Sequence, residues 1–153
     1  MAHRAGDRIN ATTTDNSIDD TIVIVTSDHG DMLGDRGAWF KMSFHERSAR
    51  VPLVVAGPDV ATTTVPNVCS HLDLLPTLLS LADVPLPRAV QGRDLSALLR
   101  GGSLTPVPAL LDLGGEVRSL RTRESKVIVS AEGSARIYDL AADPLERRPL
   151  RSE

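Results

Sequence analysis

The sequence predicts an α/β domain, a mostly parallel sheet with flanking helices, followed by a small antiparallel sheet. Three observations carry this. Two short apolar runs, Thr21–Thr26 and Val51–Gly57, are β-branched and do not alternate, which suits strands buried on both faces. Leucines recur at helical spacing over 72–82. After Pro108, four short strand candidates follow one another, separated by Gly, Glu and Ser turns.

Taken in order, residues 3–16 form at most a weak helix. Ile9 is the one large apolar residue there, Thr12, Thr13 and Thr14 are poor helix formers, and Asp15-Asn16-Ser17 is a stop. The first strand ends in a polar stretch with Gly30, Gly34 and Gly37, which marks a loop. In the second strand Pro52 has to stand at the start, where a missing N–H is tolerated. The helix that follows places Leu72, Leu75, Leu78, Leu79 and Ala82 on one face. Ser70 and Asp73 offer capping oxygens, and Pro76 must fall in the first turn. A short helix over 94–99 closes at Gly101-Gly102. The late strand candidates are Ala109–Leu113, Val117–Thr122, Lys126–Ser130 and Ala135–Leu140. Residues 1–107 are read as the α/β part and 108–153 as a β-rich subdomain.

The chain has 153 residues, 41% hydrophobic and 24% charged, long enough to bury a core. Its net charge is −3 and aromatics make up 3%, so no basic, aromatic-studded face for nucleic acid is expected. The late arginines, Arg118, Arg121, Arg123, Arg147, Arg148 and Arg151, read as a solvated sheet edge and tail. One cysteine, Cys69, leaves the redox compartment open. No apolar run is long enough to span a membrane. The polar start Met1-Ala-His-Arg-Ala-Gly-Asp has no secretory apolar region, which favours the cytoplasm unless the natural N-terminus lies upstream.

Ligands of open α/β sheets bind beyond the carboxyl ends of the strands. Asp28 and His29 stand there after Thr21–Thr26. A carboxylate and a neutral imidazole can hold a divalent cation. Two donors fall short of the about 6–8 that calcium takes. Lys41 follows on the same loop, where an ammonium can neutralise a bound oxyanion. Asp31 and Asp35 read as loop-fixing residues, through Asx turns or a pair with Arg36.

The run DDTIVIVTSDHGDMLGDRGAWFKMSFHERSARVPLVVAGP, Asp19 to Pro58, resembles the second signature region of the sulfatase family, in particular the choline-sulfatase-like branch. Ser70-His-Leu-Asp-Leu-Leu-Pro-Thr-Leu-Leu79, Gln91-Gly-Arg-Asp-Leu95 and Ile137-Tyr-Asp-Leu-Ala-Ala-Asp-Pro-Leu-Glu146 resemble later motifs of the family, in the right order. The resemblance implies the C-terminal portion of an alkaline-phosphatase-like fold and the hydrolysis of sulfate esters. It implies a divalent cation, in most members calcium, with Asp28 and His29 as two of its ligands and Lys41 as a catalytic, sulfate-contacting residue. Glu46 and Arg50 match the family pattern and read as a structural ion pair beneath the loop. His45 departs from it, because the branch has an aromatic there.

Family members attack with a formylglycine made from the Cys or Ser of a C/S-x-P/A-x-R motif. These 153 residues contain no such motif: Cys69 is followed by Ser-His-Leu-Asp, and Ser43-Phe-His-Glu-Arg47 lacks the Pro or Ala. His3 and His71 read as capping or solvent-facing. The expectation is therefore a truncated chain, inactive alone, with strands that lack neighbours and self-associate. Its partner in the full-length enzyme is a small sulfate ester. Two other readings remain, a phosphonate or phosphodiester hydrolase of the same superfamily, and a non-catalytic remnant that binds a cation or a partner.

Overall fold

The computed structural model describes residues 19–152. The weak helix expected over 3–16, and His3 with it, lies outside them. The first strand, β1 (Val23–Thr26), pairs with β2 (Leu53–Ala56), with Val23 opposite Ala56 and Thr26 opposite Leu53. This pairing is antiparallel, although the sequence places both runs in a mostly parallel sheet. The reason is the connection. A parallel return needs a crossover that carries the chain back to the opposite end, typically a helix of a dozen residues or more. The only α-helix between β1 and β2 is α1 (Glu46–Ala49), four residues long. The chain therefore returns from the end at which it left, and residues 27–52 all project from that end. Nor are the two strands buried on both faces: Val25 is 50% and Val54 55% exposed.

Gly34 and Gly37, with φ of 85° and 70°, and three non-glycine residues in the left-handed region shape that projecting loop. Leu33, Arg36 and Phe40 have φ of 48°, 57° and 71°. The Met32 amide donates to the Phe40 carbonyl at 2.9 Å, which folds the loop back on itself, and Met32 is buried at the fold. Asp31 accepts from the Leu33 amide at 2.9 Å, the Asx turn expected of it. Asp35 faces Arg47 at 3.6 Å instead of Arg36. Arg36 instead donates to the Leu145 carbonyl and lies over the Tyr138 ring.

The predicted helix is α2 (Leu74–Leu81), entered through a short 3-10 turn at His71–Asp73. Ser70 and Asp73 form a capping box there: the Ser70 hydroxyl accepts from the Leu72 amide, and Asp73 accepts from the Ser70 amide at 3.0 Å. The leucine face does not pack inward as expected. Leu72, Leu75 and Leu78 are exposed, and the buried residues are Asp73, Pro76 and Thr77. Segment 92–98, with α3 (Ser96–Leu99), packs against that polar side. Buried Asp73 takes the Arg93 amide at 2.8 Å and its guanidinium at 2.9 Å, and Thr77 accepts from the Leu95 amide at 2.9 Å. Gly92 lies so close to the Leu72 carbonyl that any Cβ would overlap it.

The C-terminal strands form a five-stranded antiparallel meander, β3 (Ala109–Leu113), β4 (Val117–Arg121), β5 (Ser125–Ser130), β6 (Ala135–Asp139) and β7 (Arg151–Ser152). The four predicted strands agree with β3 to β6 to within a residue at either end. β7 was not foreseen. Tyr138 of this sheet and Leu140 just after β6 are buried, as are Leu95 and Leu98.

Candidate functional site

Three predicted residues converge where β1 ends. Lys41 Nζ lies 2.7 Å from His29 Nε2, and Asp28 Oδ2 lies 3.3 Å from the same nitrogen. The other ring nitrogen, Nδ1, donates to the Gly30 carbonyl at 2.7 Å. That bond fixes the tautomer, leaving a lone pair on Nε2, which is the arrangement in which an imidazole binds a metal. The Nε2 lone pair serves either the Lys41 ammonium or a cation, not both at once. The Asp28 carboxyl accepts the His29 amide at 2.9 Å, and this bond holds it below the usual carboxylate range, so it is ionised at neutral pH. Ser27 donates to the His29 carbonyl at 2.8 Å, and His71 Nε2 donates to the Ser27 carbonyl at 2.8 Å. His71, expected to cap or face solvent, thus steadies the same turn from the α2 side.

Asp28 and His29 offer one carboxylate and one imidazole lone pair on the same side of the turn, a donor set suited to a hard or borderline divalent cation. Among the described residues, no third His, Cys, Asp or Glu joins them to form a group that could hold a metal. Two donors do not by themselves complete a coordination sphere.

Gly30 is required by its neighbours. A Cβ there would overlap the Arg47 carbonyl oxygen of α1, and the Gly30 amide donates to the Ser48 carbonyl at 2.7 Å. The loop is thus seated directly on α1. Below α1 lies a charge cluster not anticipated from the sequence. Lys126 of β5 is wholly buried and pairs with both Glu46 and Glu146, the latter at 2.9 Å. Its Nζ also donates to the Phe44 carbonyl at 2.8 Å. Arg121 of β4 clasps the Glu46 carboxylate through two nitrogens, at 3.1 and 3.0 Å. Arg50, the expected partner of Glu46, stands 3.8 Å away with its side chain 72% exposed. Burial would push both carboxyls up. Arg121 and Lys126 outweigh it at Glu46 and hold that group low. At Glu146 the bonds from His45, Lys126 and the Glu46 amide outweigh it further and bring the group down to about 2. His45 packs edge-on against Tyr138 at 5.7 Å and faces Glu146 Oε2 at 3.3 Å, so the departure from an aromatic is accommodated by a carboxylate partner.

Cys69 has no nucleophile's environment. Burial, then the negative charge of Asp73, pushes its thiol up, and it donates to the Asn67 carbonyl.

The sulfatase family model matches residues 7–84, about half of the 153 residues. The chain belongs to the sulfatase family. A choline-sulfatase of Rhizobium meliloti (strain 1021) is 38% identical over 154 residues, which cover 95% of this chain and 30% of that protein. Human arylsulfatase K is 35% identical over 82% of this chain and 27% of its own length. Among solved structures, the phosphonate monoester hydrolase of Agrobacterium radiobacter aligns with a TM-score of 0.75 at 28% identity, covering 86% of this chain and 31% of that one. A 2-O GAG sulfatase aligns with a TM-score of 0.73 at 29% identity, over 84% and 31%. The chain thus has the alkaline-phosphatase-like sulfatase fold in part, and it spans less than a third of the length of the curated relatives it matches. In this member of the sulfatase family, the described part of the α/β region holds one strand pair, β1 and β2, which is antiparallel. No helix among the described residues is long and apolar enough to cross a membrane.

Proposed function

We propose that this chain carries the cation- and sulfate-holding half of a sulfuric ester hydrolase site. Asp28 and His29 would be two ligands of a divalent cation, calcium by the chemistry of the family, and Lys41 would contact the sulfate group. The observation that supports this best is the meeting of three groups at one point: Lys41 Nζ and Asp28 Oδ2 at 2.7 and 3.3 Å from His29 Nε2. A bound cation would supply charge to hold an ester oxyanion. The chain's own part is to orient the imidazole through Gly30, to keep Asp28 ionised, and to bring a second positive charge beside the anion.

The 153 residues contain no C/S-x-P/A-x-R motif, and Cys69 is not activated, so this polypeptide is proposed to bind without turning over. Calorimetric titration with calcium in the presence of sulfate tests the reading. Weak binding is expected, lost in Asp28→Ala and in His29→Ala. Binding that survives both substitutions would refute it. The phosphonate monoester hydrolase neighbour favours a second reading, in which the held group is a phosphonate. Competition between phenyl sulfate and phenylphosphonate for the calcium-loaded chain separates the two.

A further inference from the structure

The two limbs of the candidate site come from different stretches of the loop, His29 from 27–30 and Lys41 from 38–44. One buried residue touches both. Ser48, 2% exposed in α1, accepts the Gly30 amide on its carbonyl at 2.7 Å, and its hydroxyl donates to the Lys41 carbonyl. Both contacts have a local cause. Ser48 stands in the last turn of a four-residue helix, where carbonyls have no intrahelical donor, so its own is available to Gly30. A helical serine can donate to the carbonyl four residues back. For Ser48 that is Phe44, which precedes α1 and whose carbonyl takes Lys126 Nζ at 2.8 Å. The hydroxyl instead reaches seven residues back, to Lys41. The two contacts run to the peptide units that follow His29 and Lys41, and α1 itself is fixed from beneath by Glu46 on Lys126 and Arg121.

We propose that Ser48 is a positioning residue, whose hydroxyl on the Lys41 carbonyl sets the Lys41 ammonium against His29 Nε2. The proposal rests on the reading of His29 and Lys41 as one site. It does not depend on any group changing its protonation.

The test is nitrogen NMR of the His29 ring in the full chain, at about pH 8.5, where an ordinary imidazole is neutral. Lys41→Ala supplies the reference position for Nε2 without its ammonium partner. In Ser48→Ala the Nε2 resonance is expected to move to that position, while Nδ1, held on the Gly30 carbonyl, stays where it is in the wild type. Ser48→Thr keeps the donor and is expected to keep the wild-type Nε2 position. General loosening of the fold would move both nitrogens together. If Lys41→Ala shifts Nε2 but Ser48→Ala does not, or if Ser48→Thr shifts it as far as Ser48→Ala, the positioning role is wrong. If Lys41→Ala itself leaves Nε2 unmoved, Lys41 and His29 do not meet and the positioning role of Ser48 is wrong, while the cation reading of Asp28 and His29 stands or falls separately on the calcium titration. Should Ser48→Ala not fold, the wild-type Ser48 hydroxyl proton is the readout. Slow exchange with water and a cross-peak to Lys41 support the proposal, and fast exchange overturns it.

Discussion

Replacing Lys126 by Met should destabilise the chain by about 3–5 kcal/mol, the cost of removing one partner from a buried ion pair. The structure argues for the lower end of that range. Arg121 still clasps Glu46, while His45 and the Glu46 amide still serve Glu146. The Glu146 carboxyl falls from an ordinary 4.5 to about 2 in the fold, which corresponds to about 3 kcal/mol shared among the bonds from His45, Lys126 and the Glu46 amide, so the part carried by Lys126 is smaller. The folded-state value is the lower one. The stabilisation is therefore present above about pH 4.5 and is lost as the pH falls towards about 2. Urea denaturation followed by far-ultraviolet circular dichroism, near neutral pH and at about pH 3, reads both effects. Lys126→Met should lower the unfolding free energy at neutral pH and flatten the loss on acidification. Adding Glu146→Gln should recover part of the loss, because it removes the buried charge left without its cation. A change at neutral pH within about 0.5 kcal/mol, the range of an inert surface substitution, together with an unaltered acid profile, would refute the reasoning.

Gly30→Ala drives a methyl into the Arg47 carbonyl and should cost about 1–3 kcal/mol or displace the turn, with loss of calcium binding measurable by calorimetry. The exposed leucines of α2 and the bare faces of β1 and β2 should make the isolated chain associate. Analytical ultracentrifugation should find it dimeric or larger, and Leu72→Lys with Leu75→Lys should shift it towards monomer. A wild-type chain that sediments as a monomer would argue against that surface being adhesive.

Much of the chain could be read from its sequence wherever the cause was local. The capping box at Ser70 and Asp73, the closing glycines after α3 and the four strands of the meander each depend on residues within a few positions of one another. The converging trio was legible for a related reason: Asp28 and His29 are adjacent, and Lys41 shares their loop. What could not be read depended on distant partners. Lys126 opens an apolar strand run, Lys-Val-Ile-Val, and that is a weak sign of a charge at a buried end. Its partners, however, lie 80 residues back and 20 ahead, and no periodicity links them. The placing of β1 and β2 in a mostly parallel sheet rests on composition, which does not say how two strands pair; their direction depends on the connection, and here it holds only the four-residue α1 and no crossover helix. The leucine face of α2 was assigned to the core by spacing alone. Spacing finds the apolar side of a helix, but it does not say whether the chain supplies a layer to cover it.

The seat of the Lys41 loop has a consequence for the order of events in synthesis. Glu46 donates its amide to a carboxylate 100 residues further on. A chain emerging at about 5–20 residues per second exposes residue 46 about 5–20 s before residue 146 follows. Throughout that interval the loop bearing His29 and Lys41 has its α1 but neither Lys126 nor Glu146 beneath it. Closing so long a segment carries an entropic cost that only the finished meander repays. The residues that converge first in the sequence are therefore among the last to be held in place.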